Sequence, residues 1–213
     1  MSGLDYLYVV LLMLASYLFA NINFAKIISK CKKRDITKEG SGNPGTLNML
    51  RTFGFFWAIT NMFLEILKGF IPSIIGYVFY GDIGLYLCGA SAILGHIYPV
   101  CFKFKGGKGV ACCCGMFFAA NWLAALITLV VCFTFVTITS MGSVGTLGFV
   151  LIMSVIEIFS LSQAVWPCYI IIGFVVALIM FAHRKNLTRL FNGTENPTNI
   201  KGAFKKDIKK LKK

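Results

Sequence analysis

Three polar stretches, rich in glycine, asparagine or basic side chains, interrupt an otherwise apolar sequence. The first runs from Lys38 to Gly54, the second from Gly95 to Gly109 and the third from His183 to Glu195. Glycine leaves backbone N–H groups accessible, and lysine or arginine supplies positive charge, so such stretches are suited to binding phosphate groups. The chemistry to consider is therefore that of a phosphorylated small molecule.

The first stretch predicts a tight turn that opens onto a helix. Ser41 can donate a hydroxyl, and Arg51 can form a bidentate hydrogen bond from the following turns. The other candidate phosphate ligands are the turn glycines and the neighbouring amides, Gly40, Gly42, Asn43, Gly45 and Asn48. The alternative is an ordinary Gly-Pro turn in which Arg51 only anchors the chain at the membrane surface.

The second stretch repeats this arrangement in front of another run that is compatible with a helix. Its candidate phosphate ligands are His96, Lys103, Lys105, Gly106, Gly107, Lys108 and Gly109. It is not a Walker A loop, because the glycine spacing and the terminal hydroxyl are absent. A flexible basic linker that touches lipid headgroups is the alternative. A lone histidine such as His96 is more often packed and hydrogen-bonded than chemically active.

The third stretch is predicted to continue as a helix from the last apolar run. His183, Asn186 and Arg189 would then share one face, and Gly193 would end the helix before Glu195. By itself this stretch is typical of a basic exit from a membrane. Three such stretches at one membrane face favour a phosphate site to which all of them contribute.

The composition predicts the class of protein that must position these stretches. The chain has 213 residues, of which 57% are hydrophobic and 14% charged, and its mean hydropathy is +0.77. A soluble domain of this length needs more charge on its surface, so the chain is predicted to be an all-α integral membrane protein. The net charge is +13, and the basic residues lie between apolar runs and at the C-terminus. This distribution does not predict nucleic-acid binding.

The distribution of basic residues predicts the topology. Of 21 Lys and Arg, seven lie in 26–51, three in 103–108 and ten in 184–213, so these segments are assigned to the cytoplasmic side. The apolar run 110–140 would be about 46 Å long as one helix, against a hydrocarbon core of roughly 30 Å. We therefore predict two short spans with a turn near Asn121, or one span with a re-entrant segment. The first choice gives seven spans, with the N-terminus outside and the C-terminus in the cytoplasm.

The chain is predicted to form a single polytopic domain over residues 1–198, followed by a tail over 199–213. Apolar residues recur at helical spacing in this tail, at Ile200, Phe204, Ile208 and Leu211, among many lysines. This pattern predicts a basic amphipathic segment on anionic headgroups of the cytoplasmic surface. A disordered, solvated tail is the alternative.

The three stretches resemble the motifs of the bacterial acyl-phosphate:glycerol-3-phosphate acyltransferases, the PlsY family. The residues that carry the resemblance are Gly40-Ser-Gly-Asn-Pro-Gly45 with Asn48 and Arg51, then Gly95-His96, Pro99-Val100 and Phe104-Lys-Gly-Gly-Lys-Gly-Val-Ala111, then His183-Arg184, Asn186, Arg189-Leu190, Gly193 and Glu195. Their order and spacing and the chain length also match. The chain departs from the family pattern in Thr46-Leu47, in Cys101 and in Glu65, where the family usually has aspartate.

The resemblance implies a seven-span enzyme of the bacterial cytoplasmic (inner) membrane, with its site facing the cytoplasm. It implies transfer of an acyl group from acyl phosphate to the sn-1 hydroxyl of glycerol-3-phosphate, which gives lysophosphatidate and starts phospholipid synthesis. The residues that it implies in the site are Ser41, Arg51, Lys108, His183, Asn186 and Glu195.

Such a site must compensate the charge of two phosphates, and Arg51, Lys68, Lys103, Lys105 and Lys108 are expected to do so. Acyl phosphate is already activated, so we expect no cofactor. We also expect no metal, because no pair of carboxylates lies near these stretches. The general base is left open between His183, His96 and the substrate phosphate. Membrane lipid is the expected surrounding, and no obligate protein partner is evident.

Two other functions use the same features. A transporter of a phosphorylated metabolite would use an intramembrane charge pair such as Glu65 and Lys68, although the sequence shows no internal repeat. A non-catalytic protein that binds anionic lipids would leave Ser41, Asn48 and Asn186 unexplained.

Overall fold

The computed structural model describes residues 3–162 and 165–212. Apart from the segments that connect the helices, of which 32–45 and 98–109 are the longest, this part of the chain is helical. The helices are α1 (Gly3–Ala20), α2 (Phe24–Cys31), α3 (Thr46–Phe53), α4 (Phe55–Ile97), α5 (Val110–Ala120), α6 (Trp122–Thr139), α7 (Gly142–Ser160), α8 (Pro167–Ala182), α9 (Arg184–Phe191) and α10 (Ile200–Leu211).

Several of these helices are long and apolar enough to cross a bilayer. In the described part of the chain the stretches that qualify are Gly3–Cys31, Phe55–Phe102, Trp122–Thr139 and Gly142–Ser160. A fifth results if α8 and α9, which bend by 61°, count as one span, and α5 is a shorter apolar helix. The predicted class, an all-α integral membrane protein, agrees with this architecture.

The helix α4 consists of two halves joined at a break. Its backbone leaves the helical conformation at Tyr80 and Gly81, and Gly81 has a φ of +57°. Gly76 and Gly84, on either side of this break, approach each other so closely that a Cβ on either would collide with the carbonyl of the other. Glycine is therefore required where the chain turns back on itself.

The predicted break at Asn121 is confirmed. Asn121 separates α5 from α6, with φ −151° and ψ 82°, and its side-chain oxygen accepts a hydrogen bond from the Ala124 N–H at 3.2 Å. This is the usual role of an asparagine in front of a helix. The two helices are unequal, with 11 and 18 residues, because the turn lies at the capping residue rather than at the midpoint of the run.

The helix α5 crosses α4 at glycines, which brings the two backbones into contact. A Cβ on Gly69 would collide with the Cys112 carbonyl, and one on Gly115 with the Ile66 carbonyl. Small residues at such crossings let helices approach closely inside a membrane. The crossing fixes α5, and thereby the position of the polar stretch that ends at its first turn.

The helix α10 packs against the other helices. Ile200 and Asp207 are only 7% and 8% exposed, and the ring of Phe204 lies 5.1 Å from that of Phe55 in an edge-on arrangement. The lysines of α10 are exposed, and their contact with anionic headgroups stays a prediction.

Candidate active site

The three polar stretches meet at one cavity of about 180 Å³. The sequence-predicted residues that line it are Ser41, Asn43, Gly45, Asn48, Arg51, His96, Lys108, Gly109, His183, Asn186 and Glu195. The predicted ligands that do not line it are Gly40, Gly42, Lys68, Lys103, Lys105, Gly106 and Gly107. Segments far apart in the sequence are therefore brought together, as the sequence predicted.

The first stretch is shaped by Asn48, which is almost fully buried. Its amide nitrogen donates to the Glu39 carbonyl at 2.9 Å and to the Ile36 carbonyl at 3.1 Å. Its oxygen accepts from the Ser41 N–H at 2.8 Å, and the Gly42 N–H donates to the Glu39 carbonyl at 2.9 Å. These N–H groups are thus used inside the turn, which leaves side chains such as Ser41 to face the cavity.

Two glycines of the second stretch also use their N–H groups internally. Gly106 donates to the Ile97 carbonyl and Gly107 to the His96 carbonyl, each at 3.1 Å. Gly107 lies so close to the His96 ring that any side chain there would collide with it. This compact turn places Lys108 at the cavity, whereas Lys103 and Lys105 stay exposed.

A hydrogen-bonded network centred on Asn186 joins the second and third stretches. The Lys108 ammonium donates to the Asn186 side-chain oxygen. The Asn186 amide nitrogen donates to Glu195 at 2.7 Å and to the Ser143 hydroxyl at 2.8 Å, and that hydroxyl donates to Glu195 at 2.7 Å. Arg189 completes the network with an ion pair to Glu195 at 3.0 Å.

The surroundings of Lys108 change its protonation. Burial lowers the pKa of the Lys108 ammonium from its ordinary value of 10.5 to about 8, although nearby Glu195 acts in the opposite direction. Burial by itself raises the pKa of the Glu195 carboxyl. The hydrogen bonds from Ser143, Arg189 and Asn186 outweigh that effect and hold the pKa of Glu195 below its usual value. The network therefore contains a fixed carboxylate and a lysine that titrates near pH 8.

His183 is buried just beyond the end of α8. Its Nδ1 lies 2.9 Å from the Ile179 carbonyl oxygen, and because a carbonyl only accepts, this bond assigns the proton to Nδ1. The second ring nitrogen, Nε2, is then an acceptor in a residue that lines the cavity. Within the described part of the chain, no carboxylate is bonded to His183.

Lys68 and Glu65 form the intramembrane pair that suggested a transporter, and the pair has further partners. The Glu65 carboxylate lies 2.8 Å from both the Lys68 ammonium and His96 Nδ1. Lys68 also donates to the Ile22 carbonyl. The charge of Lys68 is thus compensated by Glu65. Glu65 and His96 line the cavity, whereas Lys68 does not.

Arg51 is oriented by residues that follow the third stretch. Its guanidinium donates to the Asn196 carbonyl at 3.0 Å, to the Pro197 carbonyl at 3.2 Å and to the Thr198 hydroxyl at 3.1 Å. All of these acceptors are neutral, so the positive charge of Arg51 is not paired with a carboxylate by these bonds.

Much of the rest of the cavity wall is apolar, and two helix faces contribute a large part of it. The α4 face consists of Phe55, Ala58, Ile59, Met62 and Ile66, and the α6 face of Leu129, Cys132, Phe133 and Val136. Both sets follow the spacing of residues on one side of a helix. From Phe55 to Ile66 the α4 face extends about 16 Å.

Sequence reasoning missed Ser143 and the C-terminal residues that contact Arg51. Ser143 lies at the second position of α7. The signal in the sequence that could have identified Ser143 was a hydroxyl at the start of an apolar run, at the end that lies near the polar stretches. Among the described residues no three His, Cys, Asp or Glu side chains are grouped as a metal site requires, and the absence of a metal stays a prediction.

The chain is similar to known glycerol-3-phosphate acyltransferases over most of its length. The family model for glycerol-3-phosphate acyltransferase matches residues 10–193. The glycerol-3-phosphate acyltransferase of Finegoldia magna is 34% identical over 91% of this chain and 98% of its own length. That of Thermoanaerobacter pseudethanolicus is 36% identical over 93% of this chain and 100% of its own length.

Solved structures agree as well. Crystal structures of PlsY, an integral membrane glycerol 3-phosphate acyltransferase, superpose with TM-scores of 0.83 for the glycerol 3-phosphate form and 0.81 for the lysophosphatidic acid form. In both cases the identity is 32%, over 89% of this chain and 95% of the other. Because the family model spans most of the chain and relatives match over nearly their whole length, this chain belongs to the glycerol-3-phosphate acyltransferase family.

Proposed function

We propose that this membrane protein transfers the acyl group of an acyl phosphate to the sn-1 hydroxyl of glycerol-3-phosphate. The products are lysophosphatidate and phosphate, and the reaction is the first step of phospholipid synthesis. The observation that carries the proposal is a cavity in which Arg51 and Lys108 lie beside two apolar helix faces. Family membership, and the likeness to structures with glycerol 3-phosphate and lysophosphatidic acid, support the same conclusion.

The basic side chains are suited to the phosphates of both substrates. Two dianions about 5 Å apart repel each other by roughly 13 kcal/mol at an effective dielectric constant of about 20, which is an upper-end figure. Arg51 and Lys108 reduce this repulsion, because their positive charges line the cavity and are held by neutral oxygen atoms. Ser41 supplies a directional hydrogen bond to the bound substrates, and Asn186 holds the Lys108 ammonium beside them.

The apolar faces of α4 and α6 are suited to the acyl chain. They lie next to the basic side chains, so that the carbonyl carbon of the acyl phosphate is held where the polar and apolar walls meet. A chain bound along these faces keeps its apolar surface away from water.

In the reaction, the C1 hydroxyl oxygen of glycerol-3-phosphate forms a bond to the acyl carbon, and the bond from that carbon to the phosphate oxygen breaks. We assign the hydroxyl proton to the departing phosphate. His183 has no carboxylate partner in the described part of the chain, so its Nε2 is better suited to orient the hydroxyl than to remove its proton. Positioning and charge stabilisation then supply most of the rate enhancement.

We further propose seven membrane segments, with the N-terminus outside and the site facing the cytoplasm of a bacterial cell. The segments are α1, the two halves of α4, α5, α6, α7 and α8. The positions of Lys and Arg support this orientation, since they concentrate in 26–51, 103–108 and 184–213.

The function is tested with the purified protein in detergent. We expect lysophosphatidate and phosphate in equal amounts from acyl phosphate and glycerol-3-phosphate. The Asn186→Ala variant, purified in the same way, controls for contaminating enzymes and should lose most of this activity. Binding of both substrates without any product would contradict the proposal and favour a transporter or a lipid-binding protein.

The orientation is tested by cysteine labelling. Cys31 and Cys101 are the exposed native cysteines, so both are first replaced by Ser, and single cysteines are then introduced at exposed Lys38, Asn192 or Ser160. In intact cells, Lys38→Cys and Asn192→Cys should react only with a membrane-permeant reagent, and Ser160→Cys also with an impermeant one. Labelling of Asn192→Cys from outside would exclude the proposed orientation.

The pKa of Lys108 predicts an alkaline limit to activity. Above pH 8 the free enzyme loses the Lys108 charge, so kcat/KM for glycerol-3-phosphate should fall as the pH rises. Arginine stays charged throughout this range, so Lys108→Arg should remove that limb of the profile while lowering activity by a constant factor. Lys105→Arg, which changes an exposed lysine outside the cavity, should keep it. An unchanged limb in Lys108→Arg would assign it to another group.

A further inference from the structure

The C-terminal residues 196–207, here called the strap, lie beyond the range that the family model matches. They are nevertheless attached to the helices that form the cavity. Thr198 is fully buried and Ile200 lines the cavity wall. The strap is thus part of the cavity's surroundings although the motifs that define the family end before it.

The strap accepts hydrogen bonds from two of the three nitrogens of the Arg51 guanidinium. A guanidinium carries five N–H donors, one on Nε and two on each terminal nitrogen. The donor on Nε is bonded to the Pro197 carbonyl, and Nη2 donates to the Asn196 carbonyl and the Thr198 hydroxyl. The two donors on Nη1 have no protein acceptor in the described part of the chain, which leaves them for a phosphate at the cavity.

The strap is itself fixed at two separate points. At its start, the Thr198 N–H donates to the Ser140 carbonyl at 2.8 Å, at the end of α6. Near its other end, Asp207 accepts hydrogen bonds from the Phe55 N–H at 2.7 Å and the Phe56 N–H at 3.3 Å. These N–H groups belong to the first turn of α4, and the N–H groups of a first turn have no partners within their own helix. The first turn also carries the positive end of the helix dipole, which favours a carboxylate there.

The junction between α3 and α4 is shaped to accept Asp207. Gly54, which separates the two helices, has a φ of +98°, and a Cβ on it would lie 2.5 Å from Asp207 Oδ2. Phe204 adds a ring contact with Phe55, on the same turn of α4. Because Arg51 is on α3, one turn before this junction, the contacts of Asp207 fix the helix that carries Arg51 as well as the strap that holds its side chain.

We propose that the strap positions Arg51 for phosphate binding, with Thr198 and Asp207 as the positioning residues. Thr198 acts by direct contact with the guanidinium, and Asp207 acts by anchoring α10 to the start of α4. The proposal rests on the proposed function, in which Arg51 binds a substrate phosphate.

The test measures steady-state kinetics of the full-length enzyme with Thr198→Val and Asp207→Ala. Each change should raise KM for glycerol-3-phosphate on the order of tenfold, within the range of coupling found between contacting residues. Lys206→Ala, which changes the exposed neighbour of Asp207 on the same helix, is the matched control and should keep the KM of the wild type.

A double-mutant cycle separates positioning from a general effect on stability. If the strap acts through Arg51, Thr198→Val and Asp207→Ala should have no further effect on KM in the Arg51→Ala background. If each change raises KM by the same factor with and without Arg51, the proposal is overturned. So would wild-type KM values in both single variants. Thr198→Val, which keeps the size of the side chain, provides the answer if Asp207→Ala does not fold.

These outcomes are distinct from failure of the proposed function. An inactive wild-type enzyme would refute the function itself. An active wild-type enzyme in which the strap changes and Arg51→Ala act independently on KM would refute only the role of the strap.

Discussion

In the proposed function, the site depends on placing positive charge next to phosphates without pairing that charge with a carboxylate beforehand. Lys108 is held by the amide oxygen of Asn186, and Arg51 by two backbone carbonyls and a hydroxyl. The carboxylate of Glu195 is bonded to Asn186 and Arg189 instead. Neutral acceptors fix the direction of a cation yet leave its charge for a ligand, whereas Lys68, paired with Glu65 at 2.8 Å, has its charge compensated.

The helices serve this arrangement by close approach. Glycines at the α4–α5 crossing bring the start of α5, and with it Lys108, against α4, which carries the apolar wall of the cavity. The break at Asn121 returns the chain so that the apolar face of α6 also reaches the cavity. The charged and apolar walls are therefore set by the same few backbone contacts, and a substrate with a phosphate at one end and an acyl chain at the other matches both.

Local patterns predicted the parts of this structure that depend on local physics. The length of the run 110–140 exceeds a bilayer, so a break near Asn121 followed from the sequence, and the basic stretches predicted where polar groups gather. The glycines were interpreted as phosphate-binding amides because their exposure is typical of such loops. In the structure, Gly42 donates its N–H within a local turn, to the Glu39 carbonyl. Gly106 and Gly107 donate theirs to the Ile97 and His96 carbonyls at the end of the preceding helix. The Glu65–Lys68 pair followed from the sequence. The contact of Lys68 with the Ile22 carbonyl, the partners of Arg51 and the role of Asp207 depend on remote segments that no spacing rule contains.

In the empty site the Lys108 ammonium is bonded to a neutral amide oxygen and not to a carboxylate, and calorimetry measures the consequence for its protonation. Glycerol-3-phosphate is titrated into the wild-type protein at pH 8, in buffers that differ in their enthalpy of ionisation. Lys108 titrates at about 8 in the empty site, and a bound dianion favours its protonated form. Binding should therefore take up about half a proton per molecule, and Lys108→Arg should abolish this uptake. Binding by the wild type without proton uptake would contradict the account.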